Sequence, residues 1–178
     1  MKALMLATDG FEDSELTYPY WRLEEAEHDV HVATPDGDDI EGKNGQEWNA
    51  DASIDEHDPE EWADEYDVLV VPGGRSPESL RIEAPDAADI VGAFDDARLP
   101  IAAICHGAQL LISADVLEGR ELTAYPSLEV DVENAGGQFL DEEAVTDENL
   151  VTSRDPDDLP AFMRGLFELV EHAETVPA

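Results

Sequence analysis

The sequence predicts a doubly wound α/β sandwich with a mostly parallel sheet, and three observations carry that prediction. Short, almost wholly apolar runs recur at residues 2–7, 68–71 and 101–104, the pattern of strands buried on both faces. Segments with apolar residues at helical spacing alternate with them, and no repeat or linker divides the 178 residues, so the whole chain reads as one domain, 1–178. The residue types that carry chemistry fall just after the strands, where folds of this class bind ligands.

The first strand stops at Thr8-Asp9-Gly10, and a loop holding Glu12 and Glu15 leads into a helix with Tyr20, Leu23 and Ala26 on one face. Pro19 belongs in a first turn, so the regular helix is expected from Thr17 or Tyr18, with Glu15 at the loop-to-helix junction. Residues 28–33 alternate and read as a second strand. Residues 36–61 are acidic and lack hydrophobic periodicity, apart from an edge hairpin around 46–50. The strand at 68–71 runs into Pro72-Gly73-Gly74-Arg75-Ser76-Pro77-Glu78, a glycine loop in which backbone can approach a neighbouring group closely.

Pro85 opens a helix with Ile90, Val91 and Phe94 on one face. The strand at 101–104 then meets Cys105-His106-Gly107 and a helix led by Ala108, Leu110 and Leu111. Strand, cysteine, glycine and helix in this order form a nucleophile elbow, which lifts one side chain above the carboxyl edge of the sheet. Taken alone, the same run also suits Cys105 as a small buried hydrophobe. A strand at 122–124 ends at Tyr125-Pro126, a helix at 128–135 stops at Gly136-Gly137, and short strands follow near 138–140, 144–146 and 150–152. From about Pro156, Leu159, Phe162, Met163, Leu166, Phe167, Leu169 and Val170 mark an amphipathic helix.

Nine Lys and Arg stand against 45 Asp and Glu, a formal charge of −36. That balance disfavours nucleic acid and anionic membranes as partners. The acids are interleaved with apolar segments, so they read as a solvated, halophilic surface, tolerated best where molar salt shrinks the Debye length to about 3 Å. One cysteine forms no internal disulfide, and no run approaches the roughly 18 apolar residues of a membrane span. A soluble cytoplasmic protein needing no metal or cofactor is the expectation.

Four collinear motifs carry a resemblance: Phe11-Glu12-Asp13-Ser14-Glu15-Leu16 before Tyr18-Pro19-Tyr20, then Val71-Pro72-Gly73-Gly74-Arg75-Ser76-Pro77-Glu78, Ala103-Ile104-Cys105-His106-Gly107, and Thr123-Ala124-Tyr125-Pro126. Together they resemble the PfpI family of intracellular cysteine proteases and deglycases in the ThiJ/PfpI superfamily. The resemblance implies a flavodoxin-like three-layer α/β/α sandwich and Cys105 as nucleophile beside the Glu15 carboxyl. It also implies His106 as acid/base partner, served by Glu78 of a neighbouring subunit in a homodimer or hexamer. Gly74 and His106 would give backbone N–H groups to an oxyanion site, with Gly73, Gly74, Glu12 and Tyr125 around the substrate.

A thiol at a helix N-terminus is expected to ionise early, with Glu15 raised and Cys105 lowered as the two share a proton. Thiolate attack on an aldehyde or ketone gives a hemithioacetal, and Glu15 then shuttles the proton that isomerises or hydrolyses it. This chemistry suits a deglycase or glyoxalase acting on methylglyoxal-type carbonyls. The same residues also suit a cysteine peptidase acting on peptides or proteins. A redox-sensing or chaperone stress protein, its Cys105 oxidised without turnover, is the reading from another class.

Overall fold

The computed structural model describes residues 1–175. The chain opens with β1 (Lys2–Leu6), α1 (Asp13–Glu25) and β2 (Asp29–Thr34), then makes an excursion through β3 (Ile40–Glu41), β4 (Glu47–Trp48) and β5 (Ala52–Ser53) before α2 (Pro59–Glu65). Next come β6 (Val68–Val71), α3 (Ser76–Glu83), α4 (Asp86–Asp96), β7 (Ile101–Ile104) and α5 (Ala108–Ser113). The last third holds β8 (Glu121–Leu122), α6 (Glu129–Asn134), β9 (Gln138–Phe139), β10 (Val145–Asp147), β11 (Leu150–Ser153) and α7 (Leu159–Thr175).

Seven strands form one sheet in the order β10-β11-β7-β6-β1-β2-β5, and every neighbouring pair is parallel except β10 with β11. Successive strand residues point to opposite faces, and here both faces are apolar. Leu4, Leu6, Leu69, Val71, Ile101 and Ala103 join Trp62 of α2, Phe94 of α4 and Leu110 of α5 in one core. Ala3, Met5, Val68, Val70, Ala102 and Ile104 join Leu16 and Leu23 of α1 and Phe162, Met163 and Leu166 of α7 in the other. Each large side chain buried this way contributes about 1.5–3 kcal/mol. The result is the three-layer sandwich expected from the alternating pattern.

Four local expectations are corrected. Helix α1 begins at Asp13, not Thr17, and Pro19 lies buried inside it. The helix is nucleated upstream, where the N–H groups of Glu15 and Leu16 both donate to the Glu12 carbonyl, and Leu16, Pro19 and Leu23 pack into the core. Core packing thus overrides the cost of an interior proline, about 3 kcal/mol. Second, the excursion is more structured than its composition suggests: β3 and β4 pair as an antiparallel hairpin and β5 joins the main sheet. Third, α2 follows it, opened by a capping box between Asp58 and Glu61 and anchored by Trp62. Fourth, the glycine loop is shorter than expected, because α3 starts at Ser76 and carries Glu78 in its first turn.

Strand β2 lies on one side of β1, and the chain crosses to the other side of β1 for β6. The switch point is therefore between β1 and β6, and a crevice forms there beyond the carboxyl ends of the strands. The loop after β1 leads to Glu12 and Glu15, the loop after β6 holds Gly73 and Gly74, and the turn after the adjacent β7 holds Cys105. Among the described residues, no helix is long and apolar enough to cross a membrane, and no group of His, Cys, Asp and Glu could hold a metal ion.

Candidate active site

Cys105 sits where an extended strand must turn at once into a helix. Ile104 keeps extended backbone, Cys105 takes φ +61°, and a single 3-10 turn over Cys105–Gly107 leads into α5. A non-glycine residue in this left-handed region costs on the order of 1–3 kcal/mol, so packing around the turn has to hold it. Part of that hold is Gly107, where a Cβ would come within 2.5 Å of the Val71 carbonyl oxygen. Tyr125 adds to it by donating its N–H to the Cys105 carbonyl at 3.1 Å. The elbow expected from the sequence is thus present, and its thiol is nearly buried.

Glu15 is wholly buried in the first turn of α1. The Gly73 N–H donates to its Oε2 at 2.8 Å, whereas Oε1 has no hydrogen-bond partner. The backbones around it are stitched together: Phe11 bridges Gly74, the Glu12 N–H donates to the Gly73 carbonyl at 3.2 Å, and the Arg75 N–H donates to the Gly10 carbonyl at 2.8 Å. Gly74 takes φ +76°, and a Cβ there would lie 2.4 Å from the Glu12 nitrogen, so only glycine fits.

Burial pushes the Glu15 carboxyl up to about 8, and the negative charge of Glu12 adds to the rise; the Gly73 N–H, the Cys105 thiol and the Lys43 charge oppose it. Burial also pushes the Cys105 thiol up to about 12, with the Glu15 charge next in effect, while the backbone N–H groups of His106 and Gly74 pull it down. The expectation for Glu15 holds in direction. That for Cys105 does not, because burial and a facing carboxyl outweigh the two N–H donors. Those donors are the ones foreseen for an oxyanion site, and both favour the thiolate.

His106 places Nδ1 3.3 Å from Sγ of Cys105 and stacks on Tyr125, with ring centroids 4.6 Å apart. Its imidazole is held below its ordinary value, chiefly by burial, so the neutral ring dominates at pH 7; the Glu78 charge opposes this and the Lys43 charge reinforces it. Glu78 is exposed on α3, and its charge bears on His106 within the same chain, although no hydrogen bond joins the two among the described residues. Cys105, His106, Glu15, Gly73, Gly74, Glu12 and Tyr125 thus cluster at the switch point, with Glu78 at its rim.

Sequence reasoning missed Lys43. Its ammonium forms an ion pair with Oε2 of Glu12, and its charge reaches Glu15 and Cys105. The available signal was rarity: Lys43 is one of only two lysines, placed between Gly42 and Gly45 in an otherwise acidic stretch. An oriented carboxyl, a thiol, two N–H donors and an imidazole are the groups that nucleophilic attack on a carbonyl with nearby proton transfer requires.

Comparison with known proteins gives the same grouping. Residues 1–169 match the DJ-1/PfpI family. The chain is 47% identical over 170 residues to the deglycase TK1284 of Thermococcus kodakarensis, covering 96% of this chain and 99% of that one. It is 45% identical to protein/nucleic acid deglycase 2 of Escherichia coli, covering 95% and 97%. A solved two-domain protein of Anabaena variabilis, with DJ-1/ThiJ/PfpI-like and ferritin-like domains, superposes with a TM-score of 0.90 at 33% identity; the match covers 96% of this chain and 50% of that one.

Proposed function

The chain belongs to the DJ-1/PfpI family, and from that premise we propose that it is a deglycase that uses Cys105 to attack reactive carbonyl adducts of the methylglyoxal type. The observation that carries the reading is the buried Glu15 carboxyl, raised to about 8 and set against the thiol. A carboxyl with that value changes protonation in the range where a general base works best.

In the attack, the Glu15 carboxylate takes the Cys105 proton as the S–C bond forms, and the carbonyl π pair moves to oxygen. The N–H groups of Gly74 and His106, which favour the thiolate, lie close to the charge that develops there. The Glu15 carboxylic acid then returns its proton to that oxygen, giving a hemithioacetal. The adduct's amine leaves with the adduct's own hydroxyl proton, which unmasks the aldehyde that the thiol attacks. Once the hemithioacetal has formed, the Glu15 carboxylate takes the proton of the sulfur-bearing carbon and gives it to the adjacent carbon while the hydroxyl proton passes to the new alcohol, leaving a thioester. Water finally frees the product and restores the thiol. His106, neutral at pH 7 and 3.3 Å from the sulfur, accepts or donates one hydrogen bond at the sulfur without supplying a standing positive charge.

The peptidase reading asks for a protonated imidazole beside a thiolate, to hand a proton to the leaving nitrogen. Burial of His106 works against that state. The deciding experiment incubates wild type and Cys105→Ala with a methylglyoxal-modified amine and, separately, with an unmodified peptide. Release of amine and 2-hydroxy acid by wild type alone is expected. Equal release by both proteins, or cleavage of the peptide alone, overturns the reading.

A further inference from the structure

The β3–β4 hairpin is tied to the site more firmly than a surface excursion requires. Both Asp13 carboxylate oxygens are used on it: the N–H groups of Asn44 and Gln46 donate to Oδ2 and Oδ1, each at 3.0 Å. Gly42 packs so closely on this carboxylate that a Cβ would come within 2.7 Å of it. The Lys43 N–H donates to the Phe11 carbonyl at 2.9 Å, and the Gly10 N–H donates to the Glu41 carbonyl at 2.8 Å. These bonds carry Lys43 to the segment between β1 and α1, where its half-exposed ammonium covers the nearly buried Glu12 carboxylate.

Glu12 is in turn fixed against the catalytic loop, since its N–H donates to the Gly73 carbonyl and Gly73 abuts Glu15, the Cys105 Cβ and the His106 nitrogen. The charged and titratable groups facing this centre can be named. Glu12 faces Glu15 from the segment before α1, Lys43 from the hairpin, and Cys105 from the turn after β7. His106 feels Lys43 and, from α3, Glu78. Left alone, Glu12 would set a second negative charge beside a carboxyl that must itself ionise to act.

We propose that Lys43 is a positioning residue, which neutralises Glu12 so that the site holds one transferable negative charge, shared between Glu15 and Cys105. The inference rests on the reading of Glu15 as the thiol's base, and it assigns a working part to the hairpin. Lys43 acts through Glu12 and Glu15 and is not required to touch substrate. Its removal exposes Glu15 to the uncompensated Glu12 charge and takes away an attractive one, and both changes disfavour the Glu15 carboxylate.

The test follows alkylation of Cys105 by iodoacetamide across pH 6–11 at fixed low ionic strength, a range that spans the loss of the first proton from the coupled Glu15–Cys105 pair, whose carboxyl is raised to about 8. Cys105 is the only cysteine, so the label reports this one thiol, and the readout is independent of any carbonyl substrate. Lys43→Met should move the alkylation midpoint up by about one pH unit. Lys43→Arg should keep the wild-type midpoint, and Lys43→Met combined with Glu12→Gln should return toward it, since both charges are then gone. Thermal melts of each variant establish that it is folded. The inference is overturned if Lys43→Met slows alkylation equally at every pH without moving the midpoint, or if the double variant leaves the shifted midpoint where Lys43→Met put it. A protein that fails every carbonyl assay yet shows this pattern would refute the deglycase reading and leave the role of Lys43 standing.

Discussion

Gly73 donates its backbone N–H to Oε2 of Glu15 at 2.8 Å, so the loop that ends β6 sets the orientation of the carboxyl facing the thiol. Side chain and loop come from strands on opposite sides of the switch point. The geometry of the site therefore depends on the sheet order and not on one local motif.

Gly73→Ala should be nearly inactive. Its added Cβ would lie 2.5 Å from Oε2 of Glu15, 2.8 Å from the Cys105 Cβ and 2.9 Å from the His106 nitrogen, and two of those three atoms cannot move without the backbone. A loss of about a hundredfold or more in kcat/KM is expected from a misplacement of about 1 Å. Overpacking should also lower stability by roughly 1–3 kcal/mol. Activity within a few-fold of wild type would show that the loop yields.

Glu15→Gln should be inactive but more stable, increasingly so as pH rises. The folded-state carboxyl sits near 8 against an ordinary value of 4.5, so between those values the folded protein binds the extra proton. Stability from Glu15 is fully present below 4.5 and is lost as pH climbs from there through about 8, at roughly 1.4 kcal/mol for each pH step of one. Gln keeps an acceptor for the Gly73 N–H and carries no charge. Melts at pH 5 and pH 9 should show the variant's advantage at pH 9 alone, and wild-type kcat/KM should rise with pH to a plateau above about 8. An equal difference in melting temperature at both pH values counts against the buried-base account.

Salt should stabilise the protein steeply. With 36 uncompensated negative charges, repulsion is screened only as the Debye length falls to a few ångström at molar ionic strength, about 3 Å at 1 M. The gain should reach a few kcal/mol, read as roughly 2–4 °C per kcal/mol in a chain of this size. A melting temperature that is flat from low to molar potassium chloride contradicts the halophilic reading of the surface.

Mixing two dead variants tests whether the site is shared. If Glu78 serves His106 of a partner, an equimolar mixture of Cys105→Ala and Glu78→Ala reassembles with about a quarter of its sites carrying both native residues. Recovery to that level is expected. No recovery, with both variants folded and assembled, means that the influence of Glu78 within its own chain is the one that matters.

The parts of this site that were legible in the sequence are those whose signal is local. A strand, a cysteine, a glycine and a helix in sequence announce the elbow at Cys105, and alternating buried runs announce the sheet. What was lost needed more than a local window. Helices α2 and α3 each hang on few core residues, chiefly Trp62 in one and Leu80 in the other, too few to make a periodic stripe. Pro19 argued for a late start to α1 because the packing that retains this helix, against β2 and α7, is tertiary. The thiol's rise was hidden for the same reason, since a cysteine after a strand signals the helix end it meets but not the depth at which it lies. Lys43 lay in a stretch whose acids read as solvent-facing, and only the tertiary pins from Asp13 and Phe11 bring it inward.

The hairpin that carries Lys43 also holds Trp48, whose ring lies 4.8 Å from Tyr20 and 6.2 Å from Trp21, both on the helix that carries Glu15. Trp62, the remaining tryptophan, is sealed in the opposite layer. The molecule thus contains its own optical gauge. Ultraviolet emission from Trp62 forms a constant blue-shifted background, while the colour and intensity contributed by Trp48 and Trp21 follow how closely hairpin and helix sit together, so the seating of the hairpin can be followed in real time without a label.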